Sequence, residues 1–207
     1  MPALPRLIVI TDWSMGERAL LEAIESIVAT HGPRVGVQQR NPGIGGREFL
    51  RQTRLVHDLC ARHGSPLFVN GRLDVALLVD AHLHLPAHGP DVGDVRPHLP
   101  PGRWISVAVH DTAEAARARG ADLALVSPVF GAGSKPGDRR TPLGSEGFAA
   151  LANRLSCPAY ALGGVQADRA ARLRPFGIAA ISGVLHADHP AAAARALLKA
   201  VSGAAQL

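Results

Sequence analysis

Short apolar runs alternate along the chain with longer stretches in which apolar residues recur every three or four positions. The first run covers residues 6–11. In the stretch after it, residues 16–29, the apolar residues stand at helical spacing. A short apolar run of this length is typical of a buried strand, whereas the three-to-four spacing predicts an amphipathic helix. The chain therefore opens with a strand followed by a helix.

The same strand-then-helix unit recurs eight times. The predicted strands are 6–11, 34–39, 67–69, 81–85, 104–109, 122–126, 159–162 and 178–181. The predicted helices are 16–29, 46–63, 73–78, 92–98, 112–119, 145–155, 167–173 and 190–201, of which 92–98 is interrupted by Pro97.

Alternating strands and helices predict a parallel sheet, and eight units close naturally into an α/β barrel, the (βα)8 or TIM barrel. A doubly wound open sheet is the alternative. The residues after the first strand, 11–16, lack the Gly-x-Gly-x-x-Gly of a dinucleotide-binding loop. Because neither a linker nor a low-complexity segment interrupts the pattern, we expect a single domain over residues 1–207.

The composition agrees with a compact globular protein of the cytoplasm. Of the 207 residues, 47% are hydrophobic and 19% charged, which is unlike a disordered chain. The two cysteines, Cys60 and Cys157, predict buried thiols and not a disulfide framework. No apolar run reaches the 18 to 20 residues of a membrane span, and the start lacks the apolar stretch of a signal peptide. We therefore expect a cytoplasmic protein without membrane association.

The charge favours a small anionic ligand over nucleic acid. The formal net charge is +5, and only two of the 22 basic residues, Lys135 and Lys199, are lysines. Arginine suits anion binding in general. A nucleic-acid surface usually combines a basic stripe with aromatic residues. Here the aromatics amount to 4% and the arginines are spread from Arg6 to Arg195, so we expect no nucleic-acid partner.

Polar residues and glycines cluster where the predicted strands end. In a barrel of this class the active site is built from the loops that follow the strands. The polar strand ends are Thr11, Asp12, Gln38, Gln39, Arg40, Asn41, Asn70, His84, His110, Asp111 and Ser127. We therefore expect the site at this end of the barrel.

Two glycine-containing loops stand at the positions where barrels bind phosphate. Gly163 and Gly164 follow the seventh strand, and Ser182 and Gly183 follow the eighth. Backbone N–H groups of such loops can converge on an anion. The alternative is that the first pair only forms a tight turn that requires positive φ. We favour a phosphate site made by both pairs.

The loop over residues 127–142 is longer than usual between a strand and a helix, as functional lids often are. It contains Lys135, which could close over a bound phosphate. The alternative is a solvated surface charge.

Sequence segments in the same order and spacing are found in one enzyme superfamily. They are residues 7–12, 37–40, 69–70, 72–77, 83–85, 106–110, 121–130, Lys135, 161–164 and 179–182. On these segments the chain resembles the thiamine phosphate synthase and TenI superfamily of TIM barrels. The resemblance implies a thiazole phosphate, thiamine phosphate or pyrimidine pyrophosphate as ligand. It also implies that Arg40, Asn70 and Lys135 contact phosphate or pyrophosphate, and that Gly164 and Ser182 hold the thiazole phosphate.

The chain departs from the synthase pattern at the positions expected to bind Mg²⁺. Asn41 and Pro42 replace an acidic residue and a lysine, and Gly71 replaces the aspartate after Asn70. After residues 83–85 the next carboxylate is that of Asp91. Mg²⁺ usually takes one or two carboxylates beside substrate phosphates. The departures therefore argue against the synthase reaction.

TenI-like members of the superfamily isomerise a thiazole carboxylate phosphate and require no metal, and the resemblance places their histidine at His110. Histidine suits proton transfer because its ordinary pKa lies near neutrality. Our preferred interpretation is a TenI-like tautomerase, an isomerase without a cofactor, with His110 as acid and base.

Two alternatives stay open. One is a divergent synthase, a transferase that would bind Mg²⁺ through Asp91, Asp12 or the substrate. The other is a non-catalytic thiamine phosphate sensor. His82, His84 and His88 could bind a softer metal, but without a carboxylate we expect no metal site there. A homo-oligomer is possible.

Overall fold

Eight parallel strands pair in sequence order, and the eighth pairs with the first, so that the sheet closes into a barrel. The structure is a computed structural model and describes residues 3–131 and 140–202. The predicted (βα)8 barrel is confirmed, and the open-sheet alternative is wrong because Leu7 of the first strand pairs with Ile178 of the last.

Each strand is four or five residues long, whereas the predicted strands ranged from three to six residues. The strands are β1 Leu7–Ile10, β2 Val35–Gln39, β3 Leu67–Asn70, β4 His82–Leu85, β5 Ile105–Val109, β6 Leu123–Val126, β7 Ala159–Leu162 and β8 Gly177–Ala180.

Helices follow the strands and cover the outside of the barrel. They are α1 Glu17–His31, α2 Gly46–Arg62, α3 Leu73–Leu78, α4 Val92–Val95, α5 Thr112–Arg117, α6 Gly144–Ala152, α7 Ala167–Leu173, α8 Ser182–Leu185 and α9 Pro190–Ser202. The predicted helix over 92–98 is only one turn long. It gives way at Arg96 to a 3₁₀ turn that contains Pro97, because proline lacks the N–H that would continue the α-helix.

Successive residues of each strand point to opposite faces of the sheet, so the hydrophobic core has two layers, one between the sheet and the helices and one inside the barrel. Leu7 and Val9 of β1 pack outward against the helices, whereas Ile8 and Ile10 point into the barrel. The inner layer consists of Ile8, Ile10, Phe68, Trp104, Leu123, Leu125, Tyr160 and Ala179. Burial of one large apolar side chain contributes about 1.5–3 kcal/mol. These residues fill the interior of the barrel and leave space for a site at the carboxyl ends of the strands.

Among residues 3–131 and 140–202, no helix combines the length and the apolar character needed to cross a bilayer.

In the same residues, the large hydrophobic side chains that remain exposed are Leu77 and Leu78 of α3. The possible homo-oligomer stays a prediction. Cys60 is a buried free thiol, as predicted, whereas the free thiol Cys157 is only partly buried.

Candidate active site

A cavity of about 860 Å³ opens at the carboxyl ends of the strands. This volume lies within the range of pockets that hold small organic ligands. The polar and charged residues that line it are Gln38, Arg40, Asn70, His84, His88, His110, Asp111, Glu114, Ser127 and Arg140. The site is therefore where barrel architecture places it.

The cavity brings together four of the eight residues predicted for the site. Arg40, Asn70, His110 and Gly163 line it. Gly164 directly follows Gly163, and Ser182 and Gly183 follow the lining residue Ile181 along the chain. Lys135 lies outside the described residues, so its role stays a prediction.

The two glycines after β7 have backbone conformations that other residues rarely adopt. Gly163 has φ of 99° and Gly164 has φ of 60°. A Cβ atom added to Gly164 would lie 2.5 Å from the carbonyl oxygen of Gly131. The N–H of Phe130 donates to the carbonyl of Gly163 at 2.9 Å. The loop after β7 therefore packs directly on the loop after β6, and this close approach requires glycine.

Gly183 differs from these two glycines. A Cβ atom added there would meet nothing within 4 Å, and Gly183 is not among the glycines with positive φ. Its neighbour Ser182 begins the four-residue helix α8 and is partly exposed. The backbone geometry thus requires a glycine after β7 but not after β8.

The backbone of Arg40, at the end of β2, is held by the side chain of Thr11. Its N–H donates to the Thr11 hydroxyl at 2.9 Å, and that hydroxyl donates to the carbonyl oxygen of Arg40, also at 2.9 Å. These bonds connect the ends of β1 and β2 and fix the point from which the guanidinium reaches the cavity.

Gln38 places a buried amide in the cavity wall. Its side chain is 2% exposed, and within the described residues its Nε2 has no hydrogen-bond partner. Buried polar groups are normally satisfied, by ordered water or a ligand if not by protein. The Gln38 amide is therefore a buried donor beside the cavity that the described residues leave unsatisfied.

His110 is held by an acidic residue four positions later. Oε2 of Glu114 lies 2.7 Å from Nδ1 of His110 and accepts the backbone N–H of His110 at the same distance. Asp111 caps α5 by accepting the N–H of Glu114 at 2.9 Å. A carboxylate on Nδ1 favours the tautomer with the proton on that nitrogen, so that Nε2 can accept a proton. The pair can therefore transfer protons in the cavity.

The three histidines around β4 have separate environments. His82 is 7% exposed and stacks on Trp104 with ring centroids 4.3 Å apart. Burial, followed by the positive charge of Arg103, lowers the pKa of His82 to about 4. His84 bonds to Ser106 through Nδ1, and His88 lines the cavity. In the described part of the chain, no three His, Cys, Asp or Glu side chains are grouped to hold a metal.

The carboxylates of the cavity are already engaged. Asp111 caps α5, and Glu114 holds His110 through one oxygen. Both stand after β5, and neither Asn70 nor Arg40 is directly followed by an acidic residue, where the superfamily resemblance leads one to expect carboxylates.

Neither of the other carboxylates considered for Mg²⁺ lines the cavity. Asp91 pairs with Arg117 at 2.7 Å, and Asp12 accepts from the Ser14 hydroxyl at 2.6 Å and pairs with His186 at 3.0 Å. The described residues therefore do not fit the two-carboxylate Mg²⁺ site of a synthase.

Two cavity residues were missed in the sequence analysis. Glu114 could have been found, because it lies four residues after His110 at the start of a predicted helix, a spacing that brings side chains together. Arg140 stands near the end of the long loop, and nothing in its local sequence pattern distinguishes it from the other arginines of the surface.

Comparison with known proteins agrees with this fold and site. The model of a family described as thiamine monophosphate synthase matches residues 7–186. The chain is 36% identical to a thiamine-phosphate synthase of Chloroflexus aurantiacus, with 95% of this chain and 93% of the relative covered. It is 34% identical to a thiamine-phosphate synthase of Moorella thermoacetica, with 99% of both covered. The solved thiamine phosphate pyrophosphorylase of Pyrococcus furiosus superposes with a TM-score of 0.81 at 27% identity, over 98% of this chain and 97% of that one.

Proposed function

The chain belongs to the thiamine monophosphate synthase family of enzymes, and we propose that it joins a pyrimidine pyrophosphate to a thiazole phosphate, giving thiamine phosphate and pyrophosphate. The observation that supports this proposal is the end-to-end similarity to relatives named thiamine-phosphate synthase. These relatives favour the synthase alternative and do not support our preference for a TenI-like tautomerase.

The cavity suits two phosphorylated substrates because it offers cationic and amide groups on several strands. Arg40 and Arg140 line it from the loops after β2 and β6, and Asn70 lines it from the end of β3. Arginine presents several N–H donors in a planar fork that matches phosphate oxygens. We assign the pyrophosphate to this side and the thiazole phosphate to the loops of Gly163, Gly164, Ser182 and Gly183.

In the reaction the thiazole nitrogen forms a bond to the methylene carbon of the pyrimidine as the bond from that carbon to pyrophosphate breaks. The leaving group gains negative charge, which the guanidinium groups of Arg40 and Arg140 would stabilise. The amide of Gln38 would donate to a substrate atom deep in the cavity. Since the carboxylates do not form a Mg²⁺ site, we derive no step through the metal.

The direct experiment supplies both substrates, with and without Mg²⁺, and measures thiamine phosphate and pyrophosphate. We expect equimolar formation of the two products. A variant that replaces Arg40 with glutamine should lose most of this activity, whereas Arg34→Gln, which changes an exposed arginine at the opposite end of β2, should retain it. Lack of either product from the parent protein would contradict the proposal.

A second candidate function rests on the 2.7 Å contact between His110 and Glu114. This pair would move a proton between two atoms of a thiazole carboxylate phosphate, as in TenI-like enzymes. The test is conversion of that compound to its aromatic tautomer without any pyrimidine substrate. Tautomerisation without synthesis would favour this candidate, and tight binding of thiamine phosphate without either reaction would favour a sensor.

A further inference from the structure

An arginine of helix α7 contacts two of the loops that border the cavity. Nη1 of Arg169 donates to the carbonyl oxygen of Gly164, in the loop after β7, at 3.4 Å. The guanidinium carbon lies 5.1 Å from the centre of the Phe130 ring, in the loop after β6. A guanidinium over the face of an aromatic ring is attracted by the negative charge of that face. Arg169 is exposed and is not among the described residues that line the cavity, so it joins the two loops from outside.

The carbonyl groups of both glycines in the loop after β7 accept hydrogen bonds. The carbonyl of Gly163 accepts the N–H of Phe130 at 2.9 Å, and the carbonyl of Gly164 accepts from Arg169. In a trans peptide the C=O and the N–H that follows it point in opposite directions, and both of these peptides are trans. The N–H of Gly164 therefore points away from the loop after β6. The N–H of Val165 points away from the guanidinium.

These two consecutive N–H groups are available to an anion. Among residues 3–131 and 140–202, neither Gly164 nor Val165 donates its N–H to a backbone carbonyl. Successive backbone N–H groups in a turn form a concavity that binds anions. Since β7 lies between β6 and β8 in the barrel, the N–H of Gly164 is directed to the β8 side of its loop. That is the side to which we assign the thiazole phosphate.

Two consecutive glycines need contacts from outside their loop to keep one orientation. Glycine adopts positive and negative φ about equally well, so a peptide that follows a glycine can rotate at little cost. The N–H of Phe130 holds the first peptide, and Arg169 holds the second. The planar guanidinium can stack on an aromatic ring and donate to a carbonyl at the same time, whereas an ammonium group has no face to stack.

We propose that Arg169 is a positioning residue of the phosphate loop: it holds the Gly164 carbonyl outward so that the Val165 N–H binds the phosphate of the thiazole substrate together with the N–H of Gly164. The identity of the anion rests on the proposed function. The orientation of the peptide does not, because it follows from the contacts of Arg169 with Gly164 and Phe130.

Calorimetry with thiazole phosphate as the probe tests the positioning. We expect Arg169→Ala to weaken binding about 3- to 10-fold, since the contacts that order the loop are lost while its N–H groups remain. Arg169→Lys, which keeps the charge but not the planar group, should recover only part of the affinity. The matched control is Arg172→Ala, which removes an exposed arginine from the same helix and should bind like the parent.

Steady-state kinetics separates positioning from a general loss of structure. In the synthase assay, Arg169→Ala should raise the KM for thiazole phosphate about 3- to 10-fold and leave kcat and the KM for the pyrimidine pyrophosphate within about twofold. A variant that only loosens the fold would change all three constants. Such a result, or an unchanged KM for thiazole phosphate, would contradict the proposal.

Amide hydrogen exchange tests the loop without any substrate. The N–H of Phe130, which donates to Gly163, should exchange several-fold faster in Arg169→Ala than in Arg172→Ala, because the two loops separate more often. A parent protein that binds no thiazole phosphate would contradict the proposed function, and the exchange rates would still test whether Arg169 holds the loop. A parent that binds, with Arg169→Ala binding equally well, or equal exchange in the two variants, would overturn the inference alone.

Discussion

One carboxylate oxygen of Glu114 contacts His110 at two atoms: Oε2 lies 2.7 Å from the backbone nitrogen and 2.7 Å from the ring Nδ1 of His110. The glutamate thus fixes the end of β5 and the imidazole that follows it. Both side chains are largely buried, with 16% and 19% of their surfaces exposed. The ring is therefore oriented before any ligand arrives.

Substitution of His110 distinguishes the two candidate reactions. A proton-transfer group contributes about 10²–10⁴-fold to rate, so His110→Asn should reduce tautomerisation by that factor. Synthesis of thiamine phosphate should fall by less than about tenfold, because it depends more on stabilisation of the leaving pyrophosphate by Arg40 and Arg140. Steady-state rates of both reactions measure the difference, with His98→Asn as the exposed control. Equal losses in both reactions would contradict this division of roles.

Substitution of Gly164 tests the phosphate loop. Gly164→Ala places a Cβ atom 2.5 Å from the Gly131 carbonyl at positive φ, so the loop must move. We expect binding of thiazole phosphate to weaken at least tenfold, measured by calorimetry. The control is Gly64→Ala, which has φ of 66° but open space around the new methyl group at the other end of the barrel. Unchanged affinity in Gly164→Ala would place the phosphate elsewhere.

Arg40 should contribute a salt-dependent part of the affinity for phosphorylated ligands. Hydrogen bonds to charged groups contribute about 1.5–3 kcal/mol, which predicts at least tenfold weaker pyrophosphate binding for Arg40→Gln. The loss should shrink as the salt concentration rises, since salt screens an accessible charge. Titrations at two salt concentrations measure this effect against Arg34→Gln. The same affinity for both variants would exclude Arg40 from the site.

His82 should make the fold acid-sensitive. Its pKa is lowered from 6.5 in the unfolded chain to about 4 by burial, and its Nδ1 accepts the backbone N–H of Trp104 at 3.0 Å. The unfolded state therefore binds the proton first as pH falls, and the native state loses stability between pH 6.5 and 4. The loss amounts to about 3 kcal/mol once the pH is below 4.

Urea unfolding at several pH values measures this loss, and His82→Asn should show a shallower pH dependence. An NMR titration of the parent gives the pKa of His82 directly. A value near 6.5 would contradict the prediction.

Most of the fold could be predicted from the sequence because the short apolar runs of the strands differ clearly from the three-to-four spacing of apolar residues in the helices. The strand over residues 159–162 and the helix over 167–173 have the same limits in the structure as in the prediction. Boundaries shifted where local pattern and hydrogen bonding disagree, as at Gly177, which begins β8 one residue before the predicted strand because it pairs with Tyr160.

The sequence by itself determined the eight units, the end of the barrel that holds the site, and the polar strand ends Arg40, Asn70 and His110. Strand periodicity and barrel chirality fix these features locally. The partners of those residues were decided only by the tertiary structure. The closed sheet sets His84 against Ser106 across 22 residues and buries the Gln38 amide beside the cavity without a hydrogen-bond partner among the described residues. Such contacts depend on the register between strands, and a register is a property of the folded sheet that no single segment of sequence contains.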